Sequence, residues 1–217
     1  MSIAVKGLLF DMDGTLIDSR SCIELLWRNW AQRHNLNFAE IQAVMHGRRG
    51  IETIQIVAPH LDAQSEVELL LAEEALMLEG TVAIAGAHEL LSSLEPHQWA
   101  VVTSAPRDLA LAKLAFAGLP LPTHIVGADD VTEGKPHPAP FQMGAAKLGL
   151  NADQCLAFED AGAGIRSAHA AGASVCLVTG AGGKDEHGLA QWQISHYSQI
   201  QVQPNGDSID VSFKSNE

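Results

Sequence analysis

A chain of 217 residues with 13 basic against 26 acidic side chains, a formal net charge of −13, is long enough to bury a substantial core and too acidic for general binding to nucleic acid or anionic membrane. The three cysteines, Cys22, Cys155 and Cys176, are odd in number and widely spaced in apolar surroundings, which points to buried free thiols rather than a disulfide framework. No uncharged apolar run approaches a bilayer span, and the stretch before Asp11 is too short for a signal peptide, so a soluble cytoplasmic protein is expected.

Ile3 to Phe10 is nearly continuous in apolar residues, the pattern of a central parallel strand covered on both faces. It ends abruptly in Asp11-Met12-Asp13-Gly14-Thr15. Side chains two apart on an extended chain point the same way, so Asp11 and Asp13 converge just past the strand's carboxyl end, where open α/β sheets place ligands. A Ca²⁺ loop starting at Asp11 would need Glu at its twelfth position, where Cys22 stands. Ser19 or Ser21 then caps a helix carrying Ile23, Leu26, Trp27, Trp30 and Ala31, whose two tryptophans read as packing between helices. Helical patterns follow at 39–46, 50–58 and 64–79, with no strand among them.

Beyond residue 83 the chain changes character. Helices at 86–95, 107–117, 138–148 and 162–171 alternate with strands Trp99–Thr103, His124–Val126, Cys155–Phe158 and Ser174–Val178, which calls for a parallel sheet with helices on both faces. The first strand joins that sheet, with the helical segment inserted between Leu16 and about Ala83. In the tail, Ile200 to Gln203 and Ser208 to Phe213 alternate apolar and polar residues around Pro204-Asn205-Gly206-Asp207, a hairpin signal.

Three further polar groups fall at or just beyond strand ends: Thr103-Ser104, Lys135 and Glu159-Asp160. Singly each has a bland reading, as a helix cap, a solvated lysine or acids that complement a helix dipole. As a set they suit phosphoryl chemistry. Asp11 and Asp160 supply hard oxygen ligands for Mg²⁺, while the Thr103 hydroxyl and the Lys135 charge suit phosphoryl oxygens.

Taken in order, Asp11-Met12-Asp13-Gly14-Thr15, Thr103, Gly134-Lys135-Pro136 with Pro138 and Phe141, and Phe158-Glu159-Asp160 running on through Gly164-Ile165 to Ala171-Gly172-Ala173 resemble the haloacid dehalogenase superfamily over about residues 1–180. The helical insertion resembles the cap of its β-phosphoglucomutase-like and sugar phosphatase branch. The resemblance implies an α/β fold: a three-layer Rossmann-like core with a central parallel sheet, residues 1–16 plus 83–217, and an inserted all-helical cap, residues 17–82. It implies Asp11 as a nucleophile that forms an aspartyl phosphate and Asp13 as acid and then base. Mg²⁺ would be held by Asp11, the backbone carbonyl of Asp13 and Asp160, with Glu159 at or beside the ion. Thr103, Ser104 and Lys135 would hold the transferring group.

An acid at position 13 favours phosphate esters over haloacids and phosphonates, and no lysine lies between Gly7 and Ala112 to form the imine that phosphonate cleavage uses in that superfamily. The mutases of the branch carry a proton-transferring histidine twelve residues after the nucleophile. Here that position is Ile23, so a phosphatase acting on a small sugar phosphate is expected, ahead of a sugar phosphomutase or a non-enzymatic phosphate-binding regulator. Gly47, Arg48 and Arg49 fall where the resembling family has a loop that selects substrate, with complementation of a helix dipole as the alternative. The implied partner is a small-molecule phosphate ester, with neither nucleic acid nor membrane involved, and the chain is expected to be a monomer.

Overall fold

The computed structural model describes residues 1–214. The chain opens on β1 (Ser2–Val5) and β2 (Gly7–Phe10), so the single strand expected over 3–10 is two strands in two sheets. The break falls at Lys6, whose exposed charge cannot follow β2 into the interior and whose amide donates to the Gln154 carbonyl at 2.8 Å. All four residues of β2 are buried.

Next come β3 (Ile17–Asp18) and four helices, α1 (Arg20–Arg33), α2 (Phe38–Met45), α3 (Gly50–Val57) and α4 (Ala63–Ala75), followed by β4 (Val82–Ala83). β3 and β4 pair antiparallel, Ile17 with Ala83 and Asp18 with Val82, so the chain enters and leaves the helical segment through one narrow ribbon. The helices have their own apolar centre, built on Trp30, Ile41 and Ile54. Trp27 stands edge-on to Trp30 at 5.4 Å, and the Trp30 indole N–H donates to Glu66 at 2.8 Å. Asn37 and Asp62 cap α2 and α4 by accepting the amides of Ala39 and Gln64. Ser19 does hold the position before α1, but its hydroxyl makes no cap bond.

The rest of the chain gives α5 (Ala87–Ser92), β5 (Trp99–Val102), α6 (Arg107–Phe116), β6 (Ile125–Val126), α7 (Ala139–Lys147), β7 (Cys155–Glu159), α8 (Gly162–Ala171), β8 (Ser174–Val178), β9 (Trp192–Ile194), β10 (Ile200–Asn205) and β11 (Ser208–Phe213). The main sheet has the order β6-β5-β2-β7-β8-β9 and is parallel throughout. β9 is a strand that the sequence pattern did not announce. Alternate residues of β2 serve opposite layers. Leu8 and Phe10 pack with Leu90 and Leu114 of α5 and α6, and Leu9 packs with Phe141 and Ile165 of α7 and α8. From β2 the chain runs outward to β5 and β6, then returns to the other side of β2 for β7, β8 and β9. The carboxyl end of β2 is therefore the topological switch point, where a crevice opens.

β1, β11 and β10 form a second, antiparallel sheet. Asn205 pairs with Ser208, so the expected hairpin closes through Gly206-Asp207. Cys155 and Cys176 are buried in β7 and β8, where burial pushes the Cys155 thiol up to about 12. Cys22 is not a core thiol. It is half-buried and donates to the Glu79 carbonyl. Among the described residues no helix is long and apolar enough to cross a membrane.

Phe10 is the residue before Asp11, fully buried, stacked on Phe158 at 4.8 Å and edge-on to both Trp99 and Tyr197. Phe10→Ala should therefore cost about 3–5 kcal/mol in chemical denaturation.

Candidate active site

The Asp11 amide donates to the Phe158 carbonyl at 3.0 Å, which extends the β2–β7 ladder one residue past the strand and fixes where the first carboxylate emerges. The chain then folds tightly on itself. The Met12 carbonyl accepts the amides of Thr15, Leu16 and Ile17, and Gly14 takes a φ of 87°. A Cβ on Gly14 would lie 2.1 Å from Oδ2 of Asp160, so both the backbone turn and the carboxylate behind it require glycine. From the tail, the Tyr197 hydroxyl donates to the Thr15 carbonyl at 3.1 Å and holds the loop down.

Lys135 is 1 % exposed, and its ammonium lies 2.6 Å from Asp11 Oδ1 and 2.6 Å from Glu159 Oε1. It does not border the cavity that Asp11 lines. The other Glu159 oxygen accepts the amides of Asp160 and Ala161 at 3.0 and 3.1 Å, which fixes the side chain and leaves Oε1 with capacity for a further partner. Asp160 is held less firmly, by the Thr15 hydroxyl at 3.5 Å and by Arg20 at 3.7 Å. Burial pushes all three carboxyls up from their usual range, Glu159 to about 7, and the neighbouring acids add to the rise while Lys135 opposes it. Burial also works against the charge of Lys135, yet Asp11 and Glu159 hold its pKa above the ordinary lysine value.

Oxygens of Asp11, Glu159 and Asp160 lie within 4.8 Å of one another. Three buried carboxylates have beside them one buried ammonium, bonded to Asp11 and Glu159, and the part-exposed Arg20, 3.7 Å from Asp160. This surplus of negative charge is what a cation relieves, and an all-oxygen donor set suits a hard one. The residues present thus fit a metal ion.

Asp13 has different company. Its Oδ1 accepts from the Ser19 hydroxyl at 2.5 Å and from the Lys113 ammonium at 2.8 Å, and Lys113 also lies 2.5 Å from Glu74 Oε1 of α4. The sequence reading missed both Lys113 and Glu74, although a signal exists. Lys113 shares the buried stripe of Leu109, Ala110 and Leu114, and Glu74 continues that of Val67 and Leu70.

Asp11, Asp13, Thr103, Ser104 and Asp160 all border one cavity, roofed by Ile23, Leu26 and Trp27 of α1 and by Val67, Leu70 and Leu71 of α4. Thr103 Oγ1 accepts the Ala105 amide, and the Ser104 hydroxyl donates to the Gly47 carbonyl at 3.0 Å, joining the loop after β5 to the loop before α3. Gly47 and Arg48 border the cavity too, but Arg49 does not. Arg49 is instead bound to Glu52 and to the carbonyls of Val131 and Thr132.

A sequence model of the haloacid dehalogenase-like hydrolases matches residues 5–172. The chain belongs to that family. Within this hydrolase family, hexitol phosphatase A of Escherichia coli (strain K12) is 40 % identical over 211 residues, covering 94 % of this chain and 98 % of that protein. A fructose-1-phosphate phosphatase of the same organism is 36 % identical over 186 residues, covering 76 % of this chain and 92 % of its own. Among solved structures, a hydrolase from Pseudomonas syringae superposes with a TM-score of 0.75 at 27 % identity, covering 88 % of this chain and 93 % of that one.

In this hydrolase the start of α8 lies directly against Glu159: a Cβ on Gly164 would fall 1.6 Å from Glu159 Oε1, whereas one on Gly162 would meet only Arg166 at 3.8 Å. Gly164→Ala should lose about 1–3 kcal/mol of stability and depress activity by displacing Glu159. Gly162→Ala should melt near the wild-type temperature.

Proposed function

We propose that the chain is a Mg²⁺-dependent phosphatase of a small sugar or polyol phosphate, working as a cytoplasmic monomer in which residues 17–82 cap a core of residues 1–16 and 83–217. The observation that carries this is the pair Asp11 and Asp13 on the floor of a roofed cavity, each with its own lysine. The substrate class follows from the named phosphatases to which the chain is similar.

Asp11 attacks phosphorus through a carboxylate oxygen, forming an O–P bond as the ester P–O bond breaks, and Asp13 gives its proton to the departing alcohol. In the second half Asp13 takes a proton from water, which displaces the phosphoryl group from Asp11 as inorganic phosphate. Lys135 holds Asp11 in place and keeps its charge compensated before attack. Thr103 and Ser104 border the space for the phosphoryl oxygens. Asp11, Asp160, Glu159 and the Asp13 carbonyl would hold the Mg²⁺, which supplies charge neutralisation between an anionic nucleophile and an anionic substrate. Ile23 borders the cavity without a group that transfers protons, which favours hydrolysis over transfer to a second sugar hydroxyl.

Asp11→Asn keeps the shape and removes the attacking charge, so phosphate release from fructose 1-phosphate should fall by several orders of magnitude in a protein that still folds. Near-wild-type turnover in that variant, or full activity after treatment with EDTA, would sink the mechanism.

The two arginines should behave differently. Arg48→Ala should raise KM for fructose 1-phosphate about tenfold or more, as loss of a charged hydrogen bond does, and leave KM for 4-nitrophenyl phosphate little changed. Arg49→Ala should affect both substrates alike, since that side chain is bound to protein groups outside the cavity.

A further inference from the structure

We propose that Lys113 and Glu74 are positioning residues for Asp13: Lys113 pins one oxygen of that carboxylate, and Glu74 of α4 makes the pinning depend on how the helical segment is seated. The inference rests on the reading of Asp13 as the group that protonates the leaving alcohol. Four observations support it.

Lys113 is 2 % exposed, although α6 could have carried it on the solvent face. A buried ammonium is held only where carboxylates meet it, and both that do are on other elements: Asp13 from the loop after β2 at 2.8 Å, and Glu74 from α4 at 2.5 Å. Both hydrogen bonds to Asp13, from Ser19 and from Lys113, go to Oδ1. Among the described residues nothing bonds Oδ2, which leaves that oxygen to carry the proton. Finally, Ser19 and Glu74 lie near opposite ends of the four-helix segment, Ser19 just before α1 and Glu74 in the last turn of α4, so the Lys113–Glu74 contact is made only with that segment seated on α6.

The chemistry balances simply. As the ester P–O bond breaks, the proton on Oδ2 moves to the leaving oxygen, and Asp13 becomes a carboxylate whose new charge lies beside the Lys113 ammonium. An alcohol leaves poorly without that proton. A nitrophenolate leaves well without it.

The experiment compares kcat/KM, which reports steps up to formation of the aspartyl phosphate, for fructose 1-phosphate and 4-nitrophenyl phosphate. Lys113→Met should lose roughly tenfold to a hundredfold on the sugar phosphate, a part of the contribution that general acid catalysis makes, and at most a fewfold on the aryl ester. Lys113→Arg should restore part of the loss. Glu74→Gln keeps the shape of its side chain and should show the same selectivity at smaller size, and it carries the test if Lys113→Met fails to fold. Asp13→Asn is the reference. If it shows the selective loss while folded Lys113→Met and Glu74→Gln reduce both substrates equally, or neither, the positioning role is overturned and the acid stands. If Asp13→Asn itself is unselective, the acid assignment falls and this inference with it.

Discussion

The site depends on one ammonium buried beneath its floor. Among the described residues Lys135 is the only cation within hydrogen-bond reach of Asp11 and Glu159, and removing one partner from such a group strands charge in a dry interior at a cost of about 3–5 kcal/mol. Its placement is settled from several directions. The segment before it is tied to the helical unit, because Glu52 accepts the Gly134 amide while Arg49 binds the carbonyls of Val131 and Thr132. The face of the neighbouring helix supplies the Phe141 ring, 5.1 Å from the ammonium. Three hydrogen bonds thus join the start of α3 to the short segment that leads into Lys135.

Two aspartates two residues apart border one cavity and still have separate partners. The carbonyl of Met12 gathers three amides, Met12 itself is buried with the α5 and α6 layer, and the carboxylates meet different lysines. Asp11 is nine-tenths enclosed and faces an ammonium shared with another acid, while Asp13 borders the seam between α4 and α6. Two acids of one short loop thus differ in burial and in charge partner.

Most of the fold could be read in the sequence, because buried parallel strands and amphipathic helices leave strong periodic traces. The parts that could not be read have physical reasons. The break at Lys6 hides in a run that is apolar on both sides of it, and β9 is only three residues long with a glutamine at its centre. Asp11, Asp13, Glu159 and Asp160 could be picked out because each stands at or just past a strand end, whereas Glu74, inside α4, could not on that ground. Lys113 was missed because its significance depends on a carboxylate 100 residues away and another 39 residues away, neither of which spacing alone can bring near. Arg48 and Arg49 are adjacent and identical, and only the packing of α3 on the 131–134 loop decides which of them borders the cavity. The partners of Lys135, Asp11 124 residues away and Glu159 24 residues away, are likewise beyond what a linear pattern carries.

The small antiparallel sheet joins stretches from opposite extremes of the sequence, Ser2 with Ser212 and Val5 with Ile209. Bringing such distant segments together carries a large loop-closure cost until the chain between them is already ordered. The clasp therefore depends on the rest of the chain being in place. It sits at the amino end of β2, whereas Asp11 emerges at the carboxyl end, so the hydrogen bonds that hold Asp11, to Phe158 and Lys135, do not pass through it.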